Sequence, residues 1–427
     1  MIDLAAFRAD PEAFRRAWTA RGLAIDVEAL LAEDARVRAL KHRAETLKAE
    51  LNAASKAIGA AARAGGAALE EAKARARALG DQQKAADDER AAAERALHER
   101  LLYLPNPCLP EVPLGKDSAD NRVVGVWGEP PRFAFAPRPH WELGPQLGIM
   151  DFERAAKLAG SGFATLRGLG ARLSRALINW FIDTHVANGY TEWSVPHLVL
   201  PAIMQGTGQL PKFADQLYRC RDDELLLIPT AEVPLTNLHA DEILDPALLP
   251  LRYCAYTPCY RREAGAAGVG TRGLTRVHQF DKVEMVWFTT PERARADLDT
   301  MIGHATWFLS ELGLHHRVVQ LCTGDTGFSA ACTFDLEVWS PGTQSWLEVS
   351  SCSTFTDFQA RRANIRYRGP DGKPRFVHTL NGSGLALPRC LIALVETYQQ
   401  GDGSVLIPPV LRPYLGGCER IAPARQG

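Results

Sequence analysis

Several things this chain lacks narrow its possibilities. No stretch approaches the roughly twenty consecutive apolar residues that a membrane-spanning helix needs, so no span is expected. The start carries no signal-peptide pattern. The nine cysteines are scattered, and the closest pair, Cys254 and Cys259, lacks the C-x-x-C spacing of a zinc or redox site. These features point to reduced thiols in the cytosol, a soluble intracellular protein and no structural zinc. No G-x-x-x-x-G-K-[ST] string occurs, which removes nucleotide binding by that route. Net charge is also missing: 49 basic against 50 acidic residues leaves −1, so any attraction to nucleic acid has to come from a local patch. At 427 residues, with 46% hydrophobic and 23% charged side chains, the chain is expected to form two domains, or one large domain with an appendage.

Aromatics are nearly absent from one long stretch, about Val27 to Leu104, where Ala, Arg, Glu and Lys dominate. Before it, residues 1–26 read as a short capping segment anchored by Phe7, Phe14 and Trp18. Within it, Leu30, Val37, Leu40, Ala44, Leu47, Leu51, Ala54 and Ile58 follow a heptad-like seam. Ala64-Gly65-Gly66 breaks the seam, which resumes at Leu69, Ala72, Ala76, Leu79, Gln83, Ala86, Ala93 and Leu97. Two matched runs about one glycine turn predict an antiparallel helical hairpin about 50 Å long. Its first helix is basic (Arg36, Arg38, Lys41, Arg43, Lys48, Lys56, Arg63), whereas Asp87, Asp88, Glu89 and Glu94 lie on the second. A solvated charged face and a phosphate-tracking edge both fit that pattern, and on the arm alone the former weighs more. A proline-rich break at Leu104–Pro113 sets the expected domains at 1–104 and 105–427.

Beyond the break, short β-type runs and isolated helices predict an α+β fold built on an antiparallel sheet. A helix is expected over 166–188, followed by a strand at Glu192–Pro196. Further strands are expected near 225–230, 317–322, 333–339 and 345–352, with a helix near 291–312. A β-run near 375–380, Asn381-Gly-Ser-Gly384 and an apolar helix through Tyr398 complete the order. Strand-like pieces at 254–263 and 276–288 flank a loop holding Gly265, Gly268, Gly270 and Gly273, which reads as a long hairpin. Arg261 and Glu263, two apart, would share one sheet face. That suits either an edge ion pair or a ligand with an anionic and a donor group, and the ion pair is the commoner fate. Thr230 and Glu232 would share a face if extended, as would Glu348 and Ser350, with Ser351 just beyond. Arg389 would enter a helix in its first turn.

Taken together, these strings resemble the class II aminoacyl-tRNA synthetases, most closely the seryl-tRNA synthetase family. The resemblance runs over nearly the whole chain: the helical arm, an interface element ending at Pro196, GTGQLPKF at 206–213, TAEVP at 230–234, YRREAGAAG at 260–268, RVHQFDKVE at 276–284, EVSSCS at 348–353, and NGSGLA at 381–386 with Arg389. It implies a class II antiparallel sheet with flanking helices, an N-terminal coiled-coil arm that grips tRNA, and a homodimer. The implied reaction activates L-serine with ATP to seryl-adenylate and pyrophosphate, then acylates the terminal ribose of tRNA(Ser), and of tRNA(Sec). Arg261, Arg389 and Glu348 would be catalytic, with Arg261 on the α-phosphate and Arg389 on the γ-phosphate. Arg262, Glu263, Phe280, Val349, Ser350 and Ser351 would join them around ATP, with Glu263 facing adenine and Phe280 stacked on it. Thr230, Ala231, Glu232, Glu284 and Ser383 would bind serine, and Glu348 and Ser351 would hold Mg²⁺ with the ATP. The loop from Ala264 to Thr275 would touch the tRNA acceptor end.

The chain departs from the family pattern at Pro388, where glycine is usual, and at Gly270, where an acid is common. The first stiffens the approach to Arg389, and the second loosens acceptor-end contacts. Three rival readings stand beside this one: a specialised or inhibitor-resistant paralogue, a non-catalytic scaffold, and a threonyl enzyme, which would resemble the zinc-site version of the fold and is opposed by the lack of a Cys/His set with ligand-like spacing. The arm weighs against a carrier-protein paralogue, and the presence of Arg261, Glu348 and Arg389 weighs against a scaffold.

Overall fold

A computed structural model describes residues 1–265 and 272–423; Gly268 and Gly270 of the expected hairpin loop lie outside them. The chain divides into two compact units: Ile2–Thr19 with Leu23–Leu104, and Pro105 onward with Met1 and Ala20–Gly22.

In the first unit, two short helices precede the long pair α1 (Val27–Ala64) and α2 (Gly66–Leu102). Phe7, Phe14 and Trp18 pack ring against ring, with centroids 5.4–6.0 Å apart. Asp26 caps α1 by accepting from the Ala29 N–H, and α1 ends at Gly65, whose φ of 68° and ψ of −177° suit only glycine. Every expected seam residue on both helices is buried or half-buried, with exposed positions between them. The heptad pattern therefore located the interface, and the 38- and 37-residue helices give an arm about 55 Å long. Part of the basic edge is neutralised across the pair, since Arg36 and Arg43 reach Glu89 at 3.5 and 3.7 Å. Lys41, Lys48, Lys56 and Arg63 are exposed and form no ion pair among the described residues.

The second unit is built on an eight-stranded sheet. Its strands are β1 (Arg122–Trp127), β2 (Thr191–Glu192), β3 (Leu251–Tyr260), β4 (Gln279–Thr289), β5 (His316–Gln320), β6 (Cys332–Ser340), β7 (Ser345–Thr354) and β8 (His378–Ala386). The order is β1-β5-β6-β7-β8-β4-β3-β2, antiparallel except where β2 runs parallel to β3. The helices α3 (Leu169–Ala187), α5 (Ala294–Glu311) and α7 (Leu387–Thr397) supply much of the main core, with α4 (Glu232–Asn237) and α6 (Phe358–Ala363) elsewhere. β4 shows how the faces are divided. Val283, Met285 and Trp287 enter the main core, whereas Val286 and Phe288 enter a second cluster with α4 and α6 residues. With a period of two, Phe280, Lys282 and Glu284 continue the second face as the wall of a cavity.

Three local expectations change. β3 stops at Tyr260, and Glu263 has φ 49°, so Arg261 and Glu263 do not share a strand face. Of the expected 192–196 strand only Glu192 joins the sheet, as the second residue of β2. Asn381-Gly-Ser-Gly384 does not follow the expected β-run but lies within it, as part of β8. The reason is close approach on the helical side. A Cβ on Gly382 would lie 2.9 Å from the Cys352 and Met301 sulfurs, and one on Gly384 2.4 Å from His185 Nε2. The glycines let the helices press on the strand, while Ser383 lines the cavity on the opposite side.

Candidate active site

A cavity of about 600 Å³ is lined from distant parts of the second unit. One end is acidic and deep. Glu284 of β4 is 1% exposed, and Lys282, its neighbour on the same face, forms a close ion pair with it. Lys282 Nζ also donates to Thr230 Oγ1 at 2.8 Å, and Thr230 Oγ1 donates to Glu284 Oε2 at 3.2 Å. Thr230 precedes α4, whose first residue is Glu232. The condition under which Thr230 and Glu232 would share a strand face, an extended segment, is not met because the chain turns helical there. The turn nevertheless brings both side chains to the cavity. Gln359 of α6 donates to Glu232 Oε1 at 2.6 Å, and Thr379 orients Gln359 by donating to its Oε1 at 2.7 Å.

Two carboxylates and one ammonium make this end formally −1. Burial, reinforced by the Glu284 charge, pushes Glu232 up to about 7. Burial also raises Glu284, against the opposing pull of Lys282. The pocket is thus short of one positive charge and already furnished with acceptors, which suits a small ligand bearing an ammonium and a hydroxyl.

The other end carries the guanidinium groups. Arg261 follows the last hairpin pair: its N–H donates to the His278 carbonyl at 2.9 Å, and its Nε to the Pro229 carbonyl at 3.3 Å. Its guanidinium lies over the Phe280 ring, 5.1 Å from the centroid. Arg389, in the first turn of α7 after Pro388, donates Nη1 to the Glu348 carbonyl at 2.7 Å and Nε to the Thr275 carbonyl at 3.4 Å. Both arginines line the one cavity, a fork-shaped donor pair suited to a polyphosphate. Glu263 also lines it and accepts from Arg276 at 3.0 Å, tying the two limbs of the loop.

β7 contributes Glu348, Val349 and Ser351 to the cavity wall. The expected sharing of a face by Glu348 and Ser350 fails. Leu336 pairs with Ser350 but Glu337 with Glu348, so Val349 is an extra residue, a bulge. Glu348 and Ser351 thereby reach the same cavity, while Ser350 is buried and donates to the Ser383 carbonyl at 2.6 Å. Asp335 of β6 stands across from Ser351, and its buried Oδ1 has no hydrogen-bond partner among the described residues. Burial, then the Glu348 charge, pushes Asp335 well above the usual carboxylate value.

Of the expected site residues, Arg261, Glu263, Phe280, Glu348, Val349, Ser351, Arg389, Thr230, Glu232, Glu284 and Ser383 converge on this cavity. Three lie off its wall. Arg262 is exposed and donates to the Asp215 carbonyl at 3.2 Å, Ala231 is fully buried in the second core, and Ser350 is occupied as described. Sequence reasoning missed Lys282, Gln359 and Asp335. The alternation Phe280-Lys282-Glu284 could have exposed Lys282, but nothing local points to the other two.

Comparison with known proteins agrees along the chain. Residues 1–108 match the seryl-tRNA synthetase N-terminal domain, and 217–398 the tRNA synthetase class II core domain (G, H, P, S and T). A serine–tRNA ligase of Nitratidesulfovibrio vulgaris is 52% identical over 423 residues, covering 99% of each chain. The solved seryl-tRNA synthetase of Pyrococcus horikoshii, complexed with ATP, superposes with a TM-score of 0.93 at 36% identity and full coverage of both chains. The cytoplasmic serine–tRNA ligase of Naegleria fowleri, in complex with AMP, gives 0.88 at 30% identity, with 100% of this chain and 99% of that one covered.

Proposed function

Because the chain belongs to the seryl-tRNA synthetase family, we propose that it charges tRNA(Ser) with L-serine in two steps at the cavity described. The observation that carries this reading is the convergence of Arg261 and Arg389 on one cavity with the acids Glu232 and Glu284. In the first step a serine carboxylate oxygen attacks the α-phosphorus of ATP, and the bond to the leaving pyrophosphate breaks. Arg261 holds the α-phosphate and Arg389 the γ-phosphate, so the work is positioning and charge stabilisation and needs no protein nucleophile. Glu232 and Glu284 take the serine ammonium, and the Thr230 and Ser383 region takes the hydroxyl. In the second step the terminal ribose hydroxyl attacks the acyl carbon, and AMP leaves.

The unpartnered Asp335 Oδ1, with Glu348 and Ser351 on the same cavity, forms an oxygen-only set that fits Mg²⁺. That ion would neutralise charge on the phosphates. The protein acts in the cytoplasm as a homodimer, each arm reaching the tRNA held by the partner subunit. No described helix is long and apolar enough to cross a membrane.

The test is ATP–pyrophosphate exchange with serine, alanine, threonine and cysteine. Serine should support it at least about 10³-fold better than alanine, because losing the hydroxyl strands buried polar partners. No exchange with serine would end this reading.

A further inference from the structure

Between the hairpin loop and α7 lies a buried pair that neither step uses. His140 opens a short helix (His140–Gln146), and both it and Glu396 of α7 have side chains 0% exposed. The Glu396 carboxylate accepts from the His140 N–H at 2.9 Å, from His140 Nδ1 at 2.9 Å, from the Gly342 N–H at 3.0 Å and from the Ser340 hydroxyl. Four donors satisfy a buried anion that meets no Lys or Arg among the described residues. With Nδ1–H donating to Glu396, Nε2 keeps its lone pair, and it accepts the Leu274 N–H at 3.0 Å. Gly273 makes that approach possible: its φ is 67°, and a Cβ there would lie 2.2 Å from His140 Nε2.

Arg389 stands seven residues before Glu396, close to two helical turns, so both lie on nearly the same side of α7. Arg389 donates to the Thr275 carbonyl, and Glu396 reaches Leu274 through His140. One helix thus grips two successive residues of the loop's return limb, and both line the cavity. The neighbouring Trp141 adds a third hold, with the Arg272 guanidinium 5.3 Å from its ring centroid.

We propose that His140, oriented by Glu396, is a positioning residue that fixes Leu274 and Thr275 against Arg389 and so shapes the triphosphate end of the cavity. This rests on the reading that Arg389 contacts ATP. The imidazole works as a spacer, carrying the carboxylate's hold on α7 across to a main-chain N–H.

Two full-length variants separate this role from mere packing. In His140→Asn the amide can still donate to Glu396 but cannot reach Leu274, while in His140→Gln the longer side chain can present its carbonyl oxygen to the Leu274 N–H. In exchange assays, His140→Asn should raise KM for ATP about tenfold with KM for serine little changed, as expected for one lost hydrogen bond, and His140→Gln should restore most of it. Amide exchange of the peptide containing Leu274, which needs no activity, should accelerate in His140→Asn and not in His140→Gln. Equal behaviour of the two variants in both measurements overturns the proposal, as does a fall in kcat with neither KM moved. A wild-type protein inert toward serine would instead overturn the functional reading, leaving amide exchange to decide this one.

Discussion

At the scale of single residues, charge counting in the acidic end governs the chemistry. Glu232 is buried, and burial with the Glu284 charge pushes it up to about 7, so it takes a proton as pH falls through neutrality. The proposed role of holding the serine ammonium calls for the ionised form. KM for serine should therefore rise as pH drops below about 7, approaching tenfold per unit, while KM for ATP stays nearly flat. Stability carries the opposite sign. A carboxyl whose folded value exceeds its ordinary 4.5 stabilises the fold most below 4.5 and loses that contribution as pH rises through about 7. Glu232→Gln should thus stabilise the ligand-free protein by about 1–3 kcal/mol at pH 8, a gain that disappears near pH 4.5, while abolishing serine-dependent exchange. Melting curves across pH, run beside the exchange assay, check both halves. For the arginines, geometry matters beyond charge. Arg389→Lys keeps the cation but loses the planar fork, and the exchange rate should fall about 10²-fold. A change under twofold would remove Arg389 from the triphosphate.

Elements explain which of these residues could be found from the sequence. The arm was legible nearly residue by residue, because a heptad seam writes the interface directly into the spacing and Gly65 marks the reversal. The β3–β4 hairpin was legible as a unit, but its ends lay about three residues from where apolar patterning put them. Arg261 and Glu263 are polar residues of the loop, drawn into the strand by alternation alone. Glu348 and Ser351, which the resemblance gives as ATP and Mg²⁺ residues, both line the cavity, whereas alternation pairs Glu348 with Ser350. The bulge at Val349 depends on β6 and cannot be read from β7. Gln359 was invisible because its partner Glu232 lies 127 positions away. Two further outcomes belong at this scale. Asp335→Asn should weaken the Mg²⁺ dependence of exchange about tenfold or more by withdrawing one hard oxygen charge, which a metal titration reads directly. Gly65→Ala, placed where a Cβ meets nothing within 4 Å but φ is 68°, should destabilise the arm by about 1–3 kcal/mol through backbone strain alone. Loss of far-UV helical signal at lower temperature is the readout.

For the whole molecule, the proposed function assigns tRNA binding to the arm unit and the exchange chemistry to the other of the two units. Replacing residues 30–100 with a short linker should leave serine-dependent exchange within about twofold and lower tRNA charging at least about 10²-fold, since the phosphate contacts of an extended basic edge are lost together. Charging that survives the deletion would show that the arm does not grip tRNA. The seam of that arm is rich in alanine, particularly along α2, and alanine methyl groups bury little area per turn. Far from its root, such a hairpin has slender reserves against thermal fraying. An RNA strand lying along Lys41, Lys48 and Lys56 would act as a splint, quenching the motion of the tip and recovering, as part of its own affinity, order that the apolar seam alone supplies sparingly.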